Sequence, residues 1–139
     1  MSGELIVFIL AVLVVGVLLF GVMSVTRKKG IALDREKYQT RWLEIEQQLQ
    51  KDEEMSHALV ILEADKLLDH AMNEMGVLGK TMGERMKAVN SRWSSANSVW
   101  HAHKLRNRLA HEHGFKVNYD QAKRALAAFR QGLKDLGAI

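Results

Sequence analysis

Residues 5–26 carry no charged side chain, and this 22-residue run is broken only by Gly16, Gly21, Ser24 and Thr26. A helix rising about 1.5 Å per residue makes such a run roughly 33 Å long, enough to cross a hydrocarbon core of about 30 Å. A secretory signal fits poorly, because the first charge is Glu4 rather than a lysine or arginine and the apolar stretch is too long. Arg27, Lys28 and Lys29 follow directly. Basic residues flanking a span stay on the cytoplasmic side. The expected topology is therefore a single pass through the plasma (inner) membrane, with the N-terminus outside and residues 30–139 in the cytoplasm. Residues 1–30 form the anchor and its basic stop, and membrane lipid is the expected partner of residues 5–26.

Some 110 residues remain, enough for one core. The chain has no Cys, which removes disulfides, thiol catalysis and cysteine-ligated zinc, and no Pro, which suits uninterrupted helices. Charge is unevenly spread. Residues 31–79 hold 5 basic and 11 acidic side chains, a net of −6, whereas residues 80–139 hold 12 and 4, a net of +8. Only the second of these could meet a polyanion. It could serve RNA or an anionic membrane surface.

Helical signals dominate. Residues 31–50 mix Leu33, Trp42, Leu43, Ile45 and Leu49 with charges, and either continue the membrane helix or open the bundle. Asp52 is the expected N-cap of a helix reaching about residue 75. Thr81 with Glu84 has capping-box spacing ahead of a short helix over 82–89. A long helix is expected over 94–113, ended by Gly114. Asn118 with Gln121 repeats the capping spacing, and Ala122, Leu126, Phe129, Leu133 and Leu136 form an apolar stripe. No strand pattern competes. The expected fold class is all-α: a transmembrane helix, then a bundle of four to five helices, with residues 51–139 as its body.

On a helical wheel, Lys104, Arg108, His101 and Glu112 share a compact solvent face. Arg106, His103 and Asn107 fall instead among packing residues. A guanidinium left unpaired in a core is very costly, so these groups are either paired or line a cleft. The wheel of residues 55–75 places Asp65 and Asp69 within its apolar arc. Asp65 or Asp69 is therefore expected to meet Arg106 or His103, and a structural ion pair is one outcome of that meeting.

Arg106-Asn107-Arg108-Leu109-Ala110-His111 is an Arg, an Asn, three residues and a His near the end of a bundle helix. It resembles the signature of the HEPN superfamily (higher eukaryote and prokaryote nucleotide-binding), many members of which are metal-independent ribonucleases with a domain of four or five helices. The resemblance covers about residues 50–139. It implies Arg106, Asn107 and His111 as catalytic residues and a homodimer that brings two motifs to one cleft. Cleavage by the RNA's own 2′-OH needs a base, an acid and a cation for the phosphorane charge. His111 suits the proton transfers, Arg106 the phosphate, and Asn107 the orientation of His111. His103, Asp65 and Asp69 would support them, and Lys104 and Arg108 would touch phosphates. The register Arg108 to His113 has the same spacing, but Arg108 points to solvent.

The histidines at 101, 103, 111 and 113 do not suggest a metal, because residues two apart on a helix point away from each other. No cofactor is expected. Trp42, Trp93 and Trp100 could stack bases, but core packing, or for Trp42 a membrane-facing position, is the favoured role. Two functions of different class remain. One is a membrane-anchored endoribonuclease. The other is a non-catalytic HEPN-like binding or scaffold module, favoured by a net charge of only +2 over residues 31–139.

Overall fold

The computed structural model describes residues 2–25 and 31–139 and divides the chain into two units, residues 1–31 and 32–139. Among the described residues every regular element is helical. The first unit is α1, Gly3–Val25. Its leucines, isoleucines, valines and phenylalanines from Leu5 to Val22 are all exposed. One helix is thus long and apolar enough to cross a membrane, and so large an uncovered apolar surface is unfavourable in water. Thr26 and the basic residues Arg27, Lys28 and Lys29 lie outside the described residues.

The second unit holds α2 (Arg35–Gln48), α3 (Glu54–Glu74), α4 (Met82–Ala88), a 3-10 turn (Asn90–Arg92), α5 (Ala96–His111) and α6 (Tyr119–Asp135). α3 is central and packs against α2, α4, α5 and α6. Its buried row of Val60, Ile61, Ala64, Leu68, Ala71 and Met72 follows the three-four spacing of an inward face. α2 belongs to this bundle. Residues 31–34 are not helical, the Asp34 carboxylate accepts from Lys37 N–H, and Tyr38, Trp42 and Ile45 are buried. The bundle therefore begins near residue 32, and of the two expectations for residues 31–50 the structure has α2 opening the bundle. Trp42 lies in its core rather than against lipid, because it shares one helix face with Tyr38 and Ile45.

The direction of each helix follows from its contacts. α2 runs antiparallel to α3: Tyr38 Oη donates to Glu74 at 2.6 Å near one end, while His57 Nε2 lies 2.8 Å from the Gln50 carbonyl at the other. α6 runs parallel to α3, since the His57 ring lies 5.9 Å from that of Tyr119 in a tilted contact and Gly132 sits against Leu68. Gly132 sits at a tight point of this packing. A Cβ would stand 3.3 Å from Leu68 Cδ1 and 3.4 Å from Val99, so the absent side chain lets α3, α5 and α6 close together.

The capping expectations divide. Asn118 and Gln121 form a complete reciprocal capping box at α6. Thr81 caps Glu84 N–H at α4, but the Glu84 carboxylate reaches Lys80 N–H rather than that of Thr81. Asp52 does not cap α3; Glu53 occupies that position and makes no side-chain cap bond. The Ser56 hydroxyl, which accepts from Gln50 N–H at 3.0 Å, and His57 tie the preceding loop to the first turn of α3 and hold Asp52 in a turn. α5 is shorter than the expected 94–113: Glu112 ends it, and Gly114 at φ 76° turns the chain.

Candidate functional site

Where α3, α4 and α5 meet, they enclose a cleft of about 860 Å³. One wall carries a closed ring of four side chains. Arg106 Nη1 donates to Asn107 Oδ1 at 3.2 Å. Arginine has only donors, so the oxygen of Asn107 must face it and the amide nitrogen must face the other way. That nitrogen lies 3.3 Å from His103 Nε2, which therefore accepts. The proton of His103 then sits on Nδ1 and is donated to Asp65 Oδ1 at 2.8 Å. Asp65 Oδ2 closes the ring at 3.2 Å from Arg106 Nε. This last contact is an ion pair with a bent approach, because the Nε–H makes no hydrogen bond.

The α-helical repeat builds this ring. His103, Arg106 and Asn107 are spaced three and four apart, so they stack on one face of α5 opposite Asp65 of α3. Asp65 and His103 are buried, while 35% of the Arg106 side chain is exposed toward the cleft. A carboxylate this deep is stable only because a cation and a donor face it.

The expected meeting of an acid and a base is thus present for Asp65, which reaches both His103 and Arg106. Asp69, one turn along α3, does something else. It holds Arg85 of α4 in a bidentate fork, with Nε and Nη2 each at 2.8 Å, and Arg85 Nη1 donates to the Gly79 carbonyl at 2.8 Å. Arg85 is buried. It shares a helix face with Met82, Met86 and Val89, and that pattern was the available signal for an inward arginine. Gly79 has to be glycine, since a Cβ would lie 2.8 Å from Arg85 N at a φ of 153°.

Asn107 corrects a second expectation. Its amide is spent on Arg106 and His103, not on His111, because a residue four positions earlier lies on the same face as Asn107 and is nearer the ring. His111, the last residue of α5, is exposed and lines the cleft with no side-chain partner among the described residues. Lys104 also lines the cleft. Arg108 does not: it pairs with Glu112 at 3.0 Å and lies 3.9 Å over the Phe115 ring. The Arg108–His113 register fails in the same way, with His113 beyond the helix end.

Two further lysines, Lys66 and Lys87, line the cleft, and neither they nor Lys104 has an ion-pair partner among the described residues. The acids around them are engaged: Asp65 and Asp69 as above, Glu63 with Arg41, and Glu84 with Lys80 N–H. The cleft thus joins free lysines, a half-open guanidinium and a free imidazole. Trp100 also lines it, edge-on to His103 with ring centroids 6.1 Å apart, whereas Trp42 and Trp93 are core residues. Among the described residues no group of three His, Asp or Glu side chains is placed to hold a metal. No family model, curated protein or solved structure matches this chain.

Proposed function

We propose that this protein is a membrane-anchored, metal-independent endoribonuclease of the HEPN type. The observation that carries the reading is the pairing of a half-exposed, incompletely bonded Arg106 with an unpartnered His111 on one cleft. Arg106 is pre-set by Asp65 and Asn107, yet Nη2 has no partner among the described residues. It can receive a phosphate oxygen without first breaking a saturated fork. His111 takes the proton from a ribose 2′-OH. The oxygen then attacks the adjacent phosphorus, the bond to the 5′-oxygen breaks, and that oxygen receives a proton. The products are a 2′,3′-cyclic phosphate and a free 5′-OH. Base and acid stand on opposite sides of an in-line attack, so a homodimer with a second His111 at the same cleft belongs to this reading. α1 spans the plasma membrane with the N-terminus outside, and the bundle is cytoplasmic.

Full-length protein in nanodiscs should cut single-stranded RNA in the presence of a chelator. His111→Ala should lower the rate by about 10²–10⁴-fold, the usual worth of acid–base catalysis. RNA carrying 2′-O-methyl groups should resist. Protease added outside intact cells should leave residues 31–139 undigested.

A second reading keeps the cleft but not the chemistry. His103 and Asn107 are consumed by the ring, which leaves His111 as the one free histidine lining the cleft among the described residues. A cleft of that kind suits a binding module. RNA binding without cleavage above the His111→Ala background would select it.

A further inference from the structure

α6 gathers four cations on one outward face. Lys123, Arg124, Arg130 and Lys134 are all exposed on its outer face, around Ala127. None forms an ion pair among the described residues, although Lys123 lies 5.6 Å over the Tyr119 ring. On α2, by contrast, Lys37 and Arg41 are matched with Glu74, Glu44 and Glu63. The acids near the α6 face are few. Asp120 is exposed at its first turn, Glu46 borders the groove between α2 and α6, and Asp135 is occupied by Ser94 at 2.8 Å and by Gln131.

We propose that the outer face of α6 is a docking surface for anionic phospholipid headgroups. The proposal rests on α1 crossing a membrane but not on the ribonuclease reading. Charge complementarity and the tether together favour lipid. Residues 26–34 join α1 to α2 and span at most about 30 Å even when fully extended. A bundle held that close meets the headgroup layer at high effective concentration, so a weak surface suffices. The end of the bundle that receives the tether is also the end carrying Lys134, because α2 is antiparallel and α6 parallel to α3. No residue of α6 lines the cleft, so the cleft stays open while α6 is docked.

The chain has no cysteine, so Ala127→Cys provides a unique labelling position within the basic face, and Lys87→Cys provides a control at the cleft. Full-length protein with a spin label at either position is placed in nanodiscs of neutral phosphatidylcholine, or of phosphatidylcholine with phosphatidylglycerol. Access of a water-soluble relaxant is then measured. The label at 127 should be shielded in the anionic discs only, with the label at 87 open in both. Shielding should disappear in about 1 M salt, where the Debye length is about 3 Å. Each cation removed should lower the docked-to-free ratio by roughly fivefold, the equivalent of about 1 kcal/mol per basic residue near an anionic surface. The variant carrying Lys123→Glu, Arg130→Glu and Lys134→Glu, with helicity checked by circular dichroism, should not be shielded at all. Equal access at 127 in both lipids overturns the proposal. So does shielding that survives the triple reversal, or shielding that appears only when RNA or an acidic protein is added. A chain that fails to enter discs of either composition overturns the anchor and the docking together.

Discussion

Asp65 and Asp69 lie one turn apart on α3, and each faces an arginine from another helix. Asp69 and Arg85 form a saturated fork: all three nitrogens of the guanidinium are bonded, and the pair closes α4 onto α3. Asp65 and Arg106 form an unsaturated one, with a bent Nε contact, one bond to Asn107, and a face left open to the cleft. An arginine with every guanidinium nitrogen bonded is structural. One held in place but under-bonded is prepared for an incoming anion. Two pairs with the same residue types on one helix are therefore separated by bonding completeness.

Removing each acid tests that separation most strongly. Asp65→Ala leaves Arg106 and His103 around an empty buried position and should cost about 3–5 kcal/mol in a urea titration. A cost below about 1 kcal/mol would mean that the ring contributes nothing to the core. Asp69→Ala should cost less, about 1.5–3 kcal/mol for lost charge-assisted bonds, because Asp69 is only half-buried. RNA affinity should be unchanged by it. A large loss of affinity would merge the two pairs into one functional unit.

Lysine swaps sharpen the contrast further. Arg85→Lys should lose about 1 kcal/mol of stability, since an ammonium cannot fill the fork to Asp69 and still reach the Gly79 carbonyl. Arg106→Lys should leave stability within about 0.5 kcal/mol, because its own bonds to the ring are few, but it should weaken phosphate recognition. The opposite pattern in the two variants would reverse their assigned roles.

The smallest effect concerns a third acid of α3. The hydrogen bond from Tyr38 holds the Glu74 carboxyl below its ordinary value of 4.5 against the opposing effect of desolvation, with Lys37 and His70 adding smaller contributions to the lowering. A depressed carboxylate contributes stability that is present at neutral pH and is lost as pH falls through its folded value. The difference in stability between wild type and Tyr38→Phe should therefore shrink below pH 4.5. Burial and the same bond push the Tyr38 hydroxyl above its ordinary range. Its contribution is present below pH 10 and lost only in stronger alkali. A difference independent of acid pH would place the bond outside the folding equilibrium.

Much of this arrangement is legible without coordinates. The wheel placed Asp65, His103 and Arg106 on inward faces because polar residues at core periodicity must find partners. The Asn118–Gln121 box is local, and local chemistry is readable over four residues. Asn107 was misassigned to His111 because a wheel gives direction around an axis but not which neighbour completes a hydrogen bond. Arg85 was missed because its partner sits 16 residues away on another helix, and only the packing of α4 on α3 makes them meet.

The sequence by itself determined that one helix is long and apolar enough for a bilayer, that the other regular elements among the described residues are helical, and which face of each long helix turns inward. These properties follow from composition and a 3.6-residue period, and neither needs long-range contacts. Tertiary structure alone decided that α2 joins the bundle, that Asp65 and Asp69 serve different arginines, and that His111 stays free while His103 does not. Each of those outcomes depends on the distance between side chains far apart in the chain, and one ångström of helix packing is enough to complete a hydrogen bond or leave it open.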